Sequence, residues 1–322
     1  MTGEMPGEFE ARNRLRLIVN RTTELTPLKA VATKAIALAE DERTAAMDLA
    51  TVISSDQALT AKLLRLSNSA YYGYARRISN VREAVILLGM RTVRSVAIAS
   101  AIIEVLQVPE DQKFDQDLFW AHSVCTGLAA EAIARETRAA RPEDAFTAGV
   151  LHDVGKLAMM LTEPELFAEV VDLVTTEGMR YHDAEAAVFG VSHELVGYRL
   201  AQRWRFPEPL VDAIRAHHPE KAVSRVETLA DIVAAANLAC NREGLACGFD
   251  WTQDPARMPV LALPPQVDHA IARTPGGMRT IEEKARAFLL HVTARAPRWY
   301  ATHLPEESED DPGATDSVRH VA

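Results

Sequence analysis

Long apolar runs are missing from this chain of 322 residues. Nothing in it approaches the roughly 18 uninterrupted apolar residues of a membrane-crossing helix, so no membrane span is expected. Cysteine is scarce: Cys125, Cys240 and Cys247 are an odd number without metal-motif spacing. That excludes a disulfide framework and points to reduced thiols in a cytoplasmic protein. Positive charge is in deficit, with a formal net charge of -10. Phosphate contacts need Lys and Arg, which argues against a nucleic-acid partner. The opening residues MTGEMPGEFE lack a basic segment followed by an apolar one, so no secretory signal is expected. No receiver, kinase or nucleotide-cyclase segment is recognisable, which leaves input and output to partner signalling proteins.

What is present is ordinary for a globular protein: 48% apolar and 25% charged residues, with Ala and Leu abundant and aromatics at 6%. Such a composition favours helix. The spacing predicts helix after helix and no run of alternating strands. Helices are expected over 28–41, from a Ser55 cap along the stripe Leu59, Leu63, Leu66, from an Asn80/Glu83 capping box to Gly89, and over 90–106. A polar linker at 109–113 separates these from helices over 115–137, 144–161, 163–176, 192–204, 207–217 and 225–241. Residues 249–277 hold five prolines and read mostly as loop, before a last helix over 280–294. The acidic tail, rich in Glu and Asp over 306–316, cannot bury enough apolar area to offset its ordering entropy. The expected organisation is an N-terminal helical unit over 12–108, a second over 114–245, a loop and helix over 246–303, and a disordered tail over 304–322.

Six of the ten histidines, at 122, 152, 182, 193, 217 and 218, fall within one stretch of the chain. His122 lies on the apolar stripe Leu118, Cys125, Ala129; His152 and Asp153 sit side by side in an apolar run; His217 and His218 end a helix that begins at Pro207. His182 has no supporting pattern and is expected at the surface. Taken singly, each inward histidine reads as a hydrogen-bonded core residue more readily than as a ligand. Taken together, His122, His152, Asp153, His193, His217 and His218 suit one or two divalent ions such as iron, manganese or zinc. Such ions polarise phosphoryl oxygens and generate hydroxide near neutral pH. Lys156, a helical turn beyond Asp153, is placed to hold a phosphate as a point charge, or else is a solvated side chain.

These residues resemble a known family. His122 with His152-Asp153 is similar to the HD-domain superfamily of metal-dependent phosphohydrolases. The wider pattern resembles its HDOD signalling branch: 25–28 (LTPL), 53–73 (ISSDQALTAKLLRLSNSAYYG), 78–89 (ISNVREAVILLG), 119–123 (FWAHS), 145–155 (AFTAGVLHDVG), 185–197 (EAAVFGVSHELVG), 204–207 (WRFP) and 213–218 (AIRAHH). The resemblance covers about residues 20–245. It implies an all-α fold, an N-terminal helical bundle packed on an HD-like helical bundle, and a regulatory role in bacterial signalling. It also implies a final ligand after His218, where an Asp is usual; here the matching position is Asn237, a neutral and weaker ligand. The nearest carboxylate, Asp231, lies six residues earlier, about 120° away round a helix. Lys156 matches the His-Asp-x-Gly-Lys run of the related HD-GYP enzymes, but no Gly-Tyr-Pro element follows His218, so cyclic di-GMP hydrolysis is not implied. The expectation is therefore a regulatory module acting through protein contacts. The alternatives are a metal-dependent phosphohydrolase binding a nucleotide or cyclic dinucleotide, and a DNA-binding regulator built on Arg82, Arg91 and Arg94.

Overall fold

The computed structural model describes residues 6–26, 30–37, 42–69, 72, 76–107, 115–219, 223–245 and 263–293. Among the described residues it contains sixteen α-helices and no strand. Helices α2 (Ala30–Ala37), α3 (Glu42–Ser54), α4 (Gln57–Ser67), α5 (Val81–Leu88) and α6 (Met90–Val105) pack on one another as a first bundle. The second bundle comprises α7 (Gln116–Thr137), α8 (Pro142–Leu151), α9 (Val154–Thr162), α10 (Pro164–Glu177), α11 (Tyr181–Val188), α12 (His193–Arg203), α13 (Glu208–Arg215) and α14 (Leu229–Arg242). Helix α1 (Pro6–Leu25) lies against α9 and α12, and Arg14 donates from Nη1 to the carbonyl of Val188 at 2.8 Å. At the other end, α15 (Pro265–Arg273) packs on α7 and α14, and α16 (Gly277–Thr293) on α4, α6 and α7. The all-α expectation therefore holds, and α16 and the α6–α8 contact tie the two bundles into one continuous apolar core.

Several boundaries differ from the sequence reading, each for a local reason. Asp56 rather than Ser55 caps α4, because its carboxylate accepts from Leu59 N at 3.0 Å, while Ser55 Oγ donates to Val52 O. Asn80 caps α5 as expected, but the Glu83 carboxylate reaches Ser79 N rather than closing a box on Asn80. Helix α15 falls within the stretch read as loop, where Pro265 occupies its first turn. Helices α1, α3 and α11 went unread; α11 has only eight residues and little amphipathic pattern. Cys125 and Cys240 are free and buried, and burial pushes the Cys240 thiol up to about 12. Cys247, the linker 109–113 and the acidic tail lie outside the described residues.

No single helix among the described residues is long and apolar enough to cross a membrane. Helices α5 and α6 reach the length and apolarity only as a pair, bent by 119° where Gly89 takes a φ of 88°.

The consequential difference lies at residues 152 and 153. The apolar run expected as one helix over 144–161 is two, α8 and α9, broken at His152-Asp153. Asp153 caps α9 with φ -96° and ψ 9°, and Lys156 N donates to its carbonyl at 2.9 Å. The break turns the Asp153 carboxylate out of the helical run and into the space between α7, α12 and α13.

Candidate metal centre

Asp153 is fully buried, and each of its carboxylate oxygens faces a pair of imidazoles. Oδ1 stands 3.3 Å from His193 Nε2 and 3.2 Å from His217 Nε2, and those two nitrogens are 3.2 Å apart. Oδ2 stands 3.3 Å from His152 Nε2 and 3.9 Å from His122 Nε2, which are also 3.2 Å apart. Four segments supply these side chains: α7 carries His122, the α8–α9 break carries His152 and Asp153, α12 opens with His193, and His217 follows α13. His218 completes a second grouping with Asp153, His193 and His217, and is its exposed member.

All four buried rings point the same way electronically. His122 Nδ1 lies 2.6 Å from Leu245 O, His152 Nδ1 2.6 Å from Gly149 O, and His217 Nδ1 2.7 Å from Ile214 O. His193 Nδ1 lies 2.7 Å from Glu185 Oε2, which also accepts from His193 N at 3.0 Å. A carbonyl carries no proton, so Nδ1 of His122, His152 and His217 must donate. In the neutral ring this leaves the lone pair on Nε2, aimed at the Asp153 carboxylate. Backbone and carboxylate partners that fix the tautomer in this way are what metal-ligating histidines ordinarily have.

The donor set fits a divalent ion. Two ligands held about 2.0–2.1 Å from one tetrahedral ion stand about 3.3 Å apart. The triangle of Asp153 Oδ1, His193 Nε2 and His217 Nε2 has edges of 3.3, 3.2 and 3.2 Å. Two inward lone pairs at such a distance repel unless a cation or a proton lies between them. An imidazole and carboxylate set suits iron, manganese or zinc without selecting among them.

Charges and burial oppose each other in the centre. Burial alone would push the Asp153 carboxyl up, but the charges of His152 and Lys156 outweigh it and hold it well below the usual carboxylate range. Burial opposes protonation of His193, yet Glu185 and Glu194 raise it well above its ordinary value. Burial dominates at His217 and lowers it. The Glu194 carboxyl, pushed up by burial but pulled down further by His193 and His217, sits at about 2.

The remaining sequence candidates divide. Lys156 is not solvated: it is fully buried, with Nζ 2.9 Å from Asp153 Oδ2 and 4.8 Å from the centre of the Tyr181 ring. Asn237 is buried on α14, where its Oδ1 accepts from Asn241 Nδ2 at 3.1 Å. Asp231 is committed elsewhere, closing the capping box of α14 with Thr228. His182 is exposed, with Nε2 3.7 Å from Glu194 Oε1. The sequence reading missed Glu185 and Glu194, which form a third grouping with His193. Glu185 stands eight residues before His193 across a helix end, a separation with no periodic signature. Glu194 is hidden by ordinary helix-start chemistry.

Comparison with known proteins gives a family and a fold. The HDOD domain family model matches residues 25–220. An uncharacterised protein of Treponema pallidum (strain Nichols) is 31% identical over 193 residues, 59% of this chain and 37% of that protein, so the chain spans well under half of this relative. Among solved structures, an HDOD domain protein of unknown function from Geobacter sulfurreducens is 28% identical, with a TM-score of 0.66 over 88% of this chain and 97% of that one. A proposed phosphohydrolase from Shewanella amazonensis SB2B is 26% identical, with a TM-score of 0.63 over 84% and 98% of the two chains.

Proposed function

The chain belongs to the HDOD domain family, and from that premise we propose that it is a regulatory signalling module that acts through contacts with partner proteins. Its metal centre holds the fold rather than turning over a substrate. The observation that carries this reading is closure. The side chains of His122, His152, Asp153, Lys156 and His217 are fully buried, and His193 is 1% exposed. A catalytic metal needs a coordination position that substrate can reach, and burial of these six side chains closes the approach to it. Asn237 stands where the resemblance implies a final carboxylate, and its Oδ1 already accepts from Asn241 Nδ2.

When bound, a divalent ion here would supply Lewis acidity and a lowered water pKa. Asp153, His193 and His217 would hold it, with Glu185 orienting His193 and the carbonyls of Gly149 and Ile214 orienting His152 and His217. Lys156 neutralises the other Asp153 oxygen. The second reading, a phosphohydrolase, draws on His218, the ligand candidate that faces solvent, and on the proposed activity of the Shewanella relative. The DNA-binding reading draws less support: Arg94 stands 3.4 Å from Asp144 and much of α6 is buried, while Arg82 remains exposed.

The test pairs metal analysis with turnover. Protein purified without chelator or nickel should carry iron, manganese or zinc, melt at a lower temperature once stripped, and leave bis(p-nitrophenyl) phosphate and cyclic dinucleotides intact. Hydrolysis that disappears in His152→Ala would replace this reading with the phosphohydrolase one.

A further inference from the structure

One cleft among the described residues lies away from the metal centre. It has a volume of about 860 Å³ and lies where the first bundle, the C-terminal halves of α7 and α15, and the start of α8 and α16 meet. Its lining on α7 runs from Leu128 to Arg138, six to sixteen residues beyond His122. At 1.5 Å per residue that places it roughly 9–24 Å along the helix from the metal centre. The volume is in the range of about 300–1,000 Å³ typical of small-molecule sites.

The lining is two-sided in character. Its floor is apolar and buried: Val96, Leu128, Phe146 and Ile281 are each at most 6% exposed, and half-buried Leu88 and Tyr72 extend it. The rim carries four cations, Arg135, Arg138, Arg273 and Lys284, against three carboxylates, Glu131, Glu136 and Glu143. Local charge is thus +1 in a chain whose net charge is -10. Arg135 pairs with Glu131, and Arg273 stands 3.4 Å from Glu136. Arg138 and Lys284 pair with no described residue, although Lys284 is half-buried. The start of α6 at Gly89 has no side-chain cap and no acidic first-turn residue, and its first-turn Thr92 lines the same cleft. Uncapped first-turn N–H groups favour anions.

We infer that this cleft is a second ligand site, for a small amphipathic anion of the nucleoside phosphate class. The apolar floor takes the ring system, and Arg138 and Lys284 take the phosphate. The inference does not depend on whether the centre at Asp153 holds an ion. Because α7 and α8 line the cleft and also carry His122 and lead into His152, an occupant would bear on the two helices that hold the centre.

Isothermal titration of the full chain with ATP, GTP and inorganic pyrophosphate tests it. Saturable binding of a nucleotide is expected, at least tenfold weaker in the Arg138→Ala/Lys284→Ala double variant and abolished by Ala132→Trp, which fills the cleft. Pyrophosphate should bind more weakly than the nucleotide, since it leaves the floor bare. Hydrogen exchange with nucleotide bound should slow in 128–138 and 273–284. The inference is overturned if no probe binds up to millimolar concentration, if the variants bind as wild type, if pyrophosphate binds as tightly as nucleotide, or if protection maps instead around 152 and 217.

Discussion

The two oxygens of one carboxylate face two unlike half-sites. On the Oδ1 side of Asp153, three donor atoms form a near-equilateral triangle of 3.2–3.3 Å edges, and Glu185 backs His193. On the Oδ2 side one edge opens to 3.9 Å, and the Lys156 ammonium already lies 2.9 Å from the shared oxygen. A buried ammonium does electrostatically what an ion would do, without needing one. The difference teaches that a motif with nearly all its ligands need not hold two ions: the donor spacing on the Oδ1 side suits an ion, and the Oδ2 side carries its own cation.

Removing what the half-sites share should have the largest effect. Asp153→Ala deletes a ligand from both triangles and strands Lys156 in a dry interior. Breaking a buried pair from one side costs about 3–5 kcal/mol. Urea denaturation should show a loss of that order, and metal analysis should find no ion; a variant that keeps wild-type metal would break the comparison. Lys156→Met then separates the halves. With the ammonium gone, the Oδ2 triangle is free, and titration with manganese or zinc should rise from one ion per chain to two. Two ions in the wild type would show that Lys156 does not block its side.

Acid should act through the Oδ1 side. The Glu194 carboxyl is at about 2 in the folded chain against an ordinary 4.5, and His193 and His217 are what hold it down. A depressed carboxyl contributes stability that is fully present above pH 4.5 and is lost as pH falls towards 2. At 1.36 kcal/mol per unit, the contribution is about 3 kcal/mol. In metal-free protein, Glu194→Gln should therefore be less stable than wild type at pH 6, and the two urea midpoints should converge as pH falls towards 2. A constant gap across that range would mean that Glu194 is not coupled to the histidines.

Much of this was legible in the sequence, for identifiable reasons. The all-α fold follows from helical periodicity and caps that act locally: Asn80 and Asp115 cap the helices the sequence assigned to them, and Gly89 stops one. The histidines and Asp153 were visible because their residue types are few and fall in recognisable runs. What was hidden depends on tertiary geometry. No periodicity reveals that the helix breaks at His152-Asp153, since Val150, Leu151 and Val154 continue the apolar pattern on both sides. Lys156 looks solvated in sequence because a Lys is seldom buried; only the Asp153 carboxylate beside it makes that placement tolerable. Glu185 reaches His193 from another helix, and the cleft at α6, α7 and α16 draws on segments nearly two hundred residues apart.

The finest division between the half-sites should come from a methyl group. A Cβ added at Gly155 would lie 1.9 Å from His193 O and 2.8 Å from Gly197 N, so α9 and α12 touch backbone to backbone there. Neither neighbour is a flexible side-chain end that could swing aside. Gly155→Ala must therefore push the start of α12 away, and with it His193, whose Nε2 has to stay 3.3 Å from Asp153 Oδ1. His122 and His152 sit on α7 and the end of α8, away from that contact. Overpacking of this kind costs about 1–3 kcal/mol. The expected result is a chain that still folds, is less stable by that amount, and binds its ion at least tenfold more weakly, while the extra ion admitted by Lys156→Met is retained in the double variant. If Gly155→Ala weakened both ions equally, the two sides of Asp153 would be one cooperative site, and the glycine after His152-Asp153 would serve the whole centre rather than its Oδ1 half.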